Sequence, residues 1–199
     1  MILHDAVEEL KKTSSGMGTE DGDLIFQTLH NSVCQFCKGE GMGAEFGGRV
    51  AEVTTPNPFT ARMRLENLFD APLKTPKTRA AALGALNAAA GFLMLTRKTG
   101  ACNSVYHEDC LAELQAFCKG KAVYIIGDDI AGIPQTLTAD EAELILISGE
   151  AFFEDALLSE IEEARAFGES GEKEIYLIGQ NCHGLGALLH LQVWCPYGR

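Results

Sequence analysis

Seven cysteines and five histidines are the side chains of this 199-residue chain best suited to chemistry, and several stand beside glycines or carboxylates. The sharpest pair is Cys182-His183, inside Gly179-Gln180-Asn181-Cys182-His183-Gly184. A thiolate and an imidazole in a glycine-flanked loop can ligate a soft or borderline metal ion, or act as nucleophile and base. Adjacent residues point apart, so further ligands must come from elsewhere, and Cys195 and Glu150 are the expected ones. Asp128 follows Gly127, and Glu150 follows Ser148-Gly149, so two carboxylates also sit next to a glycine that permits close approach. Asp128, Glu150 and Asn181 are therefore the expected ligand-binding residues, and Cys182, His183 and Cys195 the expected metal ligands for a transition metal ion.

Cys34-Gln35-Phe36-Cys37 is the one C-x-x-C. In extended chain, residues three apart face opposite sides, so these thiols converge as a metal or redox pair only if the segment turns. Gly39-Glu40-Gly41 would allow such a turn; otherwise they are structural or free thiols. Cys102, His107 and Cys110 form a looser group in which only His107 and Cys110 share a helical face. Cys110 and Cys118 read as helix core, where a thiol packs as a small hydrophobe. Gly39, Gly41 and Gly43 lack the following helix and Lys-Ser/Thr of a phosphate loop and read as a hairpin connector. Asn87, alone in an Ala-rich helix, reads as a hydrogen-bond partner of nearby backbone.

These residues have to be positioned by the elements around them. AVYII (122–126), ELILI (143–147) and EIYLI (174–178) are short continuous apolar runs, as expected of parallel strands covered on both faces. LQVWC supplies a candidate fourth strand. Helices are expected over HEDCLAELQAFC, over AFFEDALLSEIEEARAFGE and, as a short one, over GLGALLHL. In open α/β sheets ligands bind beyond the carboxyl ends of the strands, where Asp128, Glu150 and the 179–184 loop would lie. If the three runs are neighbours, Asp128, Glu150 and Cys182 share one edge.

Earlier in the chain the texture differs. Residues 5–13 read as an amphipathic helix capped by Asp5, and 25–37 and 48–55 as the arms of a hairpin around the glycine-rich connector. A short helix is expected over 61–69, and Thr78 is expected to cap a strongly helical Ala-rich segment closing with basic residues. The expected organisation is an α+β cap over 1–99 and a Rossmann-like α/β domain over 100–199, with helices on both faces of its parallel sheet.

Sixteen Lys and Arg against 28 Asp and Glu give a formal charge of −12, a field that repels phosphate backbones and anionic membranes. Nucleic acid is excluded as a natural partner on that ground. No charge-free apolar window reaches the length of a membrane span, and MILHDAVEELKK lacks the basic and apolar regions of a signal peptide. A cytoplasmic protein with reduced thiols is expected. The Ala/Gly face over 80–91 suits either an intramolecular neighbour or a homodimer.

Ala82-Leu83-Gly84-Ala85-Leu86-Asn87-Ala88, the strand entry carried by Gly120, Lys121, Val123, Ile126 and Gly127, and the later strand end together resemble the heavy-metal chelation domain family over roughly 48–182. The resemblance implies an enolase-N-terminal-type cap joined to a Rossmann-like domain, and a type of ligand rather than a reaction. Where that family carries hydroxyl-rich loops after its second and third strands, this chain has Ser148-Gly149-Glu150 and Gly179-Gln180-Asn181-Cys182-His183. Acidic and thiol/imidazole loops favour a metal over a phosphate-like ligand. The leading expectation is thus a small-ligand or metal-ion binding protein, in heavy-metal or metallocofactor handling, with its site at the strand ends. The alternative is a small-metabolite enzyme with Cys182 as nucleophile and His183 or Glu150 as base; a third is a catalytically silent subunit making partner contacts.

Overall fold

The computed structural model describes residues 1–30 and 33–199. It is a mixed α/β structure with two four-stranded sheets, one antiparallel in the order β3-β2-β1-β4 and one parallel in the order β5-β6-β7-β8. Among the described residues no helix is long and apolar enough to cross a membrane.

Helix α1 (Ile2–Ser14) buries Ile2, Leu3, Ala6, Val7 and Leu10, a stripe at helical spacing, and places Lys11 and Lys12 in its last turn, where cations suit the dipole. Its cap is Met1 and not Asp5, because the apolar stripe begins at Ile2; Asp5 instead pairs with Arg165.

The antiparallel sheet corrects the expected hairpin. Strand β1 (Asp23–Leu29) occupies the first half of the apolar stretch 25–37; positions 31 and 32 of that stretch lie outside the described residues. The glycine-rich segment is itself strand β2 (Glu40–Phe46), an inner strand that pairs with β1 on one side and with β3 (Arg49–Thr55) on the other. The turn is Gly47-Gly48, both at positive φ, as a two-residue hairpin of this twist requires. The small residues of β2 serve packing: a Cβ on Gly84 of the helix above would lie 3.0 Å from the Ala44 Cβ. Residues 61–69 divide into strand β4 (Ala61–Arg64) and a single helical turn, α2 (Glu66–Phe69), where one helix was expected.

Helix α3 (Pro76–Phe92) is the Ala-rich segment, and it is buried against both β2 and β3 and the later helix α6. Thr75, not Thr78, is its cap. The two threonines form a reciprocal capping box, Thr78 N–H donating to Thr75 Oγ1 at 3.2 Å and Thr75 N–H to Thr78 Oγ1 at 3.1 Å, with Pro76 in the first turn. The basic residues Arg97 and Lys98 fall beyond the helix end.

The second half follows the expected alternation. After α4 (His107–Cys118) come β5 (Val123–Ile126), β6 (Leu144–Ser148), α5 (Leu158–Ser170), β7 (Glu174–Ile178), α6 (His183–Leu189) and β8 (Gln192–Trp194). All neighbours in this sheet pair in parallel, Ile126 opposite Ile147 and Ser148 opposite Ile178. The carboxyl ends of β5, β6 and β7 therefore share one edge. A single apolar cluster runs from α1 and the antiparallel sheet through α3 to Ile145, Ile147 and Leu177 of the parallel sheet.

Candidate functional site at the carboxyl edge

At the end of β5 the chain turns at Gly127, whose φ is +127° and whose absent Cβ makes room for Ser148: a Cβ there would lie 2.2 Å from Ser148 Oγ. Glu150, just beyond β6, draws two segments together. Its Oε1 accepts from the Asp128 N–H at 3.2 Å and its Oε2 from the Lys38 N–H at 2.9 Å, while the Lys38 ammonium pairs with the Asp128 carboxylate. Burial raises the Glu150 pKa, reinforced by the Asp128 charge and opposed by the Lys38 N–H. The Lys38 ammonium holds Asp128 below the ordinary carboxylate range, and the same pair raises Lys38.

Two cavities flank this Lys38-Asp128-Glu150 cluster. One, about 270 Å³, is walled by Phe36, Leu111 and Ile130 on its apolar side and by Asp129, Ser148 and Glu150 on its polar side. The other, about 210 Å³, lies toward Pro56, Phe153 and Leu157. Ser148 is 2% exposed, and among the described residues its Oγ has no hydrogen-bond partner. Larger grooves of about 630 and 590 Å³ lie away from this edge, one between Leu137 and α5 and the other around Gly120. Position relative to the strand ends, not volume, singles out the smaller cavities.

Cys34 and Cys37 meet the condition the sequence set for them. The segment is a turn, closed by the Cys37 N–H donating to the Cys34 carbonyl at 3.1 Å, and both sulfurs lie against Gly179 at the tip of β7. A Cβ on Gly179 would lie 3.1 Å from Cys37 Sγ and 3.4 Å from Cys34 Sγ. The adjacent Cys37 thiol, helped by the amides of Phe36 and Gln180, lowers the Cys34 pKa to about 7 despite burial. The Cys34 sulfur beside it and burial move Cys37 well above the ordinary thiol value.

The other expected residues separate. Cys182 is fully buried in the main core with its sulfur 3.7 Å from the Ile178 carbonyl, and burial pushes its thiol far up. His183 and Cys195 do come together, flanking Gly198, where a Cβ would lie 2.8 Å from both His183 Nε2 and Cys195 Sγ. Burial lowers the His183 pKa to about 4 and raises Cys195 to about 12. Among the described residues His183 Nε2 has no hydrogen-bond partner. Asn181 is not at a cavity: its Oδ1 accepts from the Thr54 N–H and its Nδ2 donates to the Thr54 carbonyl, both at 2.8 Å, so its amide joins β3 to the β7 tip. Asn87 bonds backbone, as expected, donating to the Gln180 and Asn181 carbonyls at 3.2 Å and accepting from the Gly184 N–H at 2.6 Å.

Of the six expected site residues, Asp128 and Glu150 are brought together, His183 and Cys195 form a second enclosed pair, and Cys182 and Asn181 face packing partners. Among the described residues no group of three or more His, Cys, Asp and Glu side chains is arranged to hold a metal ion. Lys38 and Ser148 were not singled out in the sequence as ligand residues. A lysine directly after C-x-x-C and a serine closing an apolar run are too common to mark a site, although the strand-end rule does cover Ser148. Comparison with family models, curated proteins and solved structures finds no match, so the likeness to the heavy-metal chelation domain family rests on the quoted motifs alone.

Proposed function

We propose that the chain is a cytoplasmic small-ligand binding protein whose site is the 270 Å³ cavity at the carboxyl ends of β5 and β6. The observation that carries this reading is Ser148: a hydroxyl enclosed with no partner is costly to leave unmade, and here it lines the cavity. A ligand that bonds to it removes that cost. Asp128, Asp129 and Glu150 against Lys38 leave the polar wall net acidic, and Phe36, Leu111 and Ile130 supply an apolar wall. The ligand class that fits is a small metabolite with an amino or amidino group and an apolar flank. Seven free thiols suit a reducing compartment.

A transition metal ion would need donors that this arrangement holds apart, and an enzyme built on Cys182 as nucleophile would need a sulfur that is enclosed and held as the thiol. The small organic cation is therefore the favoured ligand. Thermal melting against a panel of small primary amines and amidines, paired with carboxylates of the same shape, tests it. Cationic members are expected to raise the melting temperature, since a ligand at a hundred times its Kd stabilises by about 2.7 kcal/mol. Ser148→Ala and Glu150→Gln should each reduce the shift. Equal or absent responses to cations and carboxylates, or stabilisation by Zn²⁺, Ni²⁺ or Co²⁺ instead, would overturn the reading.

A further inference from the structure

The C-x-x-C turn has no role in the ligand site beyond the wall that Gln35 and Phe36 supply. Its two sulfurs are nonetheless the most organised thiols in the molecule. Both lie over Gly179, where φ is +91° and an added Cβ would crowd Cys37 Sγ at 3.1 Å and touch Cys34 Sγ at 3.4 Å. The neighbouring Cys37 thiol, with the amides of Phe36 and Gln180, favours negative charge on Cys34. The thiolate is the reactive form of a cysteine. The remaining five cysteines lack this arrangement, with Cys182 enclosed in the core and Cys110 and Cys118 on the buried face of α4.

We propose that Cys34 and Cys37 form a redox-active dithiol, a site of reversible oxidation by small peroxides, with Cys34 as the attacking sulfur and Cys37 as the resolving one. The two are 5% and 7% exposed, which restricts access to a small neutral oxidant and disfavours a protein disulfide. The Cys34 thiolate attacks one peroxide oxygen; the O–O bond breaks, and Cys34 becomes a sulfenic acid as hydroxide leaves. The Cys37 sulfur then attacks Cys34, an S–S bond forms, and the sulfenic hydroxyl leaves as water with the Cys37 proton. The net change oxidises two thiols by two electrons, and one hydrogen peroxide becomes two waters. An external dithiol reverses it by exchange. Among the described residues no third His, Cys, Asp or Glu joins the pair in an arrangement that would hold a metal ion, which favours this chemistry over metal ligation.

The test is peptide mapping of the intact protein after brief exposure to one equivalent of hydrogen peroxide at neutral pH, with residual thiols blocked by alkylation. The expected product is an intramolecular disulfide within 34–37, formed first and restored to thiols by dithiothreitol. Cys34 should also alkylate about tenfold faster than the other six cysteines, which are equally buried but lack its neighbouring donors. In Cys37→Ser, Cys34 should be trapped by dimedone as the sulfenic acid; in Cys34→Ser, Cys37 should stay reduced. Oxidation spread evenly over the seven cysteines, or a 34–37 segment that stays reduced while others react, would overturn the proposal. So would thiols that become reactive only after a chelator removes a bound metal. The wild-type map decides the matter even if either variant fails to fold.

Discussion

His183 illustrates how far burial can move a residue from the role its type suggests. An imidazole next to a thiol reads as a base or a ligand, but enclosure, helped by the Lys98 charge, lowers its pKa to about 4, so at neutral pH it is an uncharged packing group. The folded protein thus binds this proton less readily than the unfolded chain, whose histidine titrates near 6.5. Between those two values the unfolded state holds more protons, and stability must fall as the pH drops through that window, by up to about 1.4 kcal/mol per pH unit. Above roughly pH 6.5 the contribution is complete. Urea unfolding of wild type and His183→Gln at a series of pH values between 4 and 7 should show the wild type losing stability on acidification more steeply than the variant. Parallel curves would mean that the imidazole is reached by water. The Glu150 carboxyl, also raised by burial, titrates in the opposite sense, so the difference between the two proteins, not the wild-type curve alone, isolates His183.

Glycine placement governs the elements. Gly184 opens α6 where it crosses α3, and a Cβ there would lie 2.4 Å from the Leu86 carbonyl atoms and 2.5 Å from the Asn87 nitrogen. Backbone cannot yield as a side chain can, so Gly184→Ala must push the helices apart; it should cost about 1–3 kcal/mol or more, read as a lower urea midpoint with an unchanged secondary structure signal. Gly84→Ala, facing the Ala44 Cβ at 3.0 Å and the Phe26 ring at 3.3 Å, should cost less, because side-chain atoms can give. The reverse order would show that the crossing is not set by backbone contact. This use of glycine also marks where sequence reasoning stopped. The parallel strands were legible because continuous apolar runs such as Leu144–Ser148 report burial on both faces. Strand β2 was not, since EGMGAEF has neither the β-branched content nor the alternation that marks a strand; the face it presents to α3 is Met42 and Ala44, on which Gly84 packs, and that neighbour is distant in sequence. The strand-end rule located Asp128 and Glu150, whereas Cys182 was misleading because the pitch of the turn into α6, invisible in the order of residues, sends its sulfur into the core.

At the scale of the whole molecule, the two sheets are fastened by amides rather than by apolar contact alone. Asn181 mimics a strand edge, donating to and accepting from the same residue, Thr54 at the end of β3. Beside it Gln180 Nε2 donates to Thr54 Oγ1 at 3.1 Å, and Asn87 ties α3 to the backbone of the same turn. These groups are buried, so each bond removed leaves partners that water cannot reach. Asn181→Ala strands both the N–H and the carbonyl of Thr54 and should destabilise the protein by about 2–4 kcal/mol, summing two such losses. Asn87→Ala should cost a comparable amount through the Gly184 N–H. Because both asparagines hold the 179–184 turn, the double variant should lose less than the sum of the two, a non-additivity that a double-mutant cycle in urea measures directly. The same turn carries Gly179, on which the Cys34 and Cys37 sulfurs rest, so Asn181→Ala should also slow Cys34 alkylation, whereas Gly184→Ala, acting at the helix crossing, should do so less. Strict additivity, with Cys34 reactivity unchanged in Asn181→Ala, would mean that the sheets are held independently and that the dithiol does not depend on how they dock.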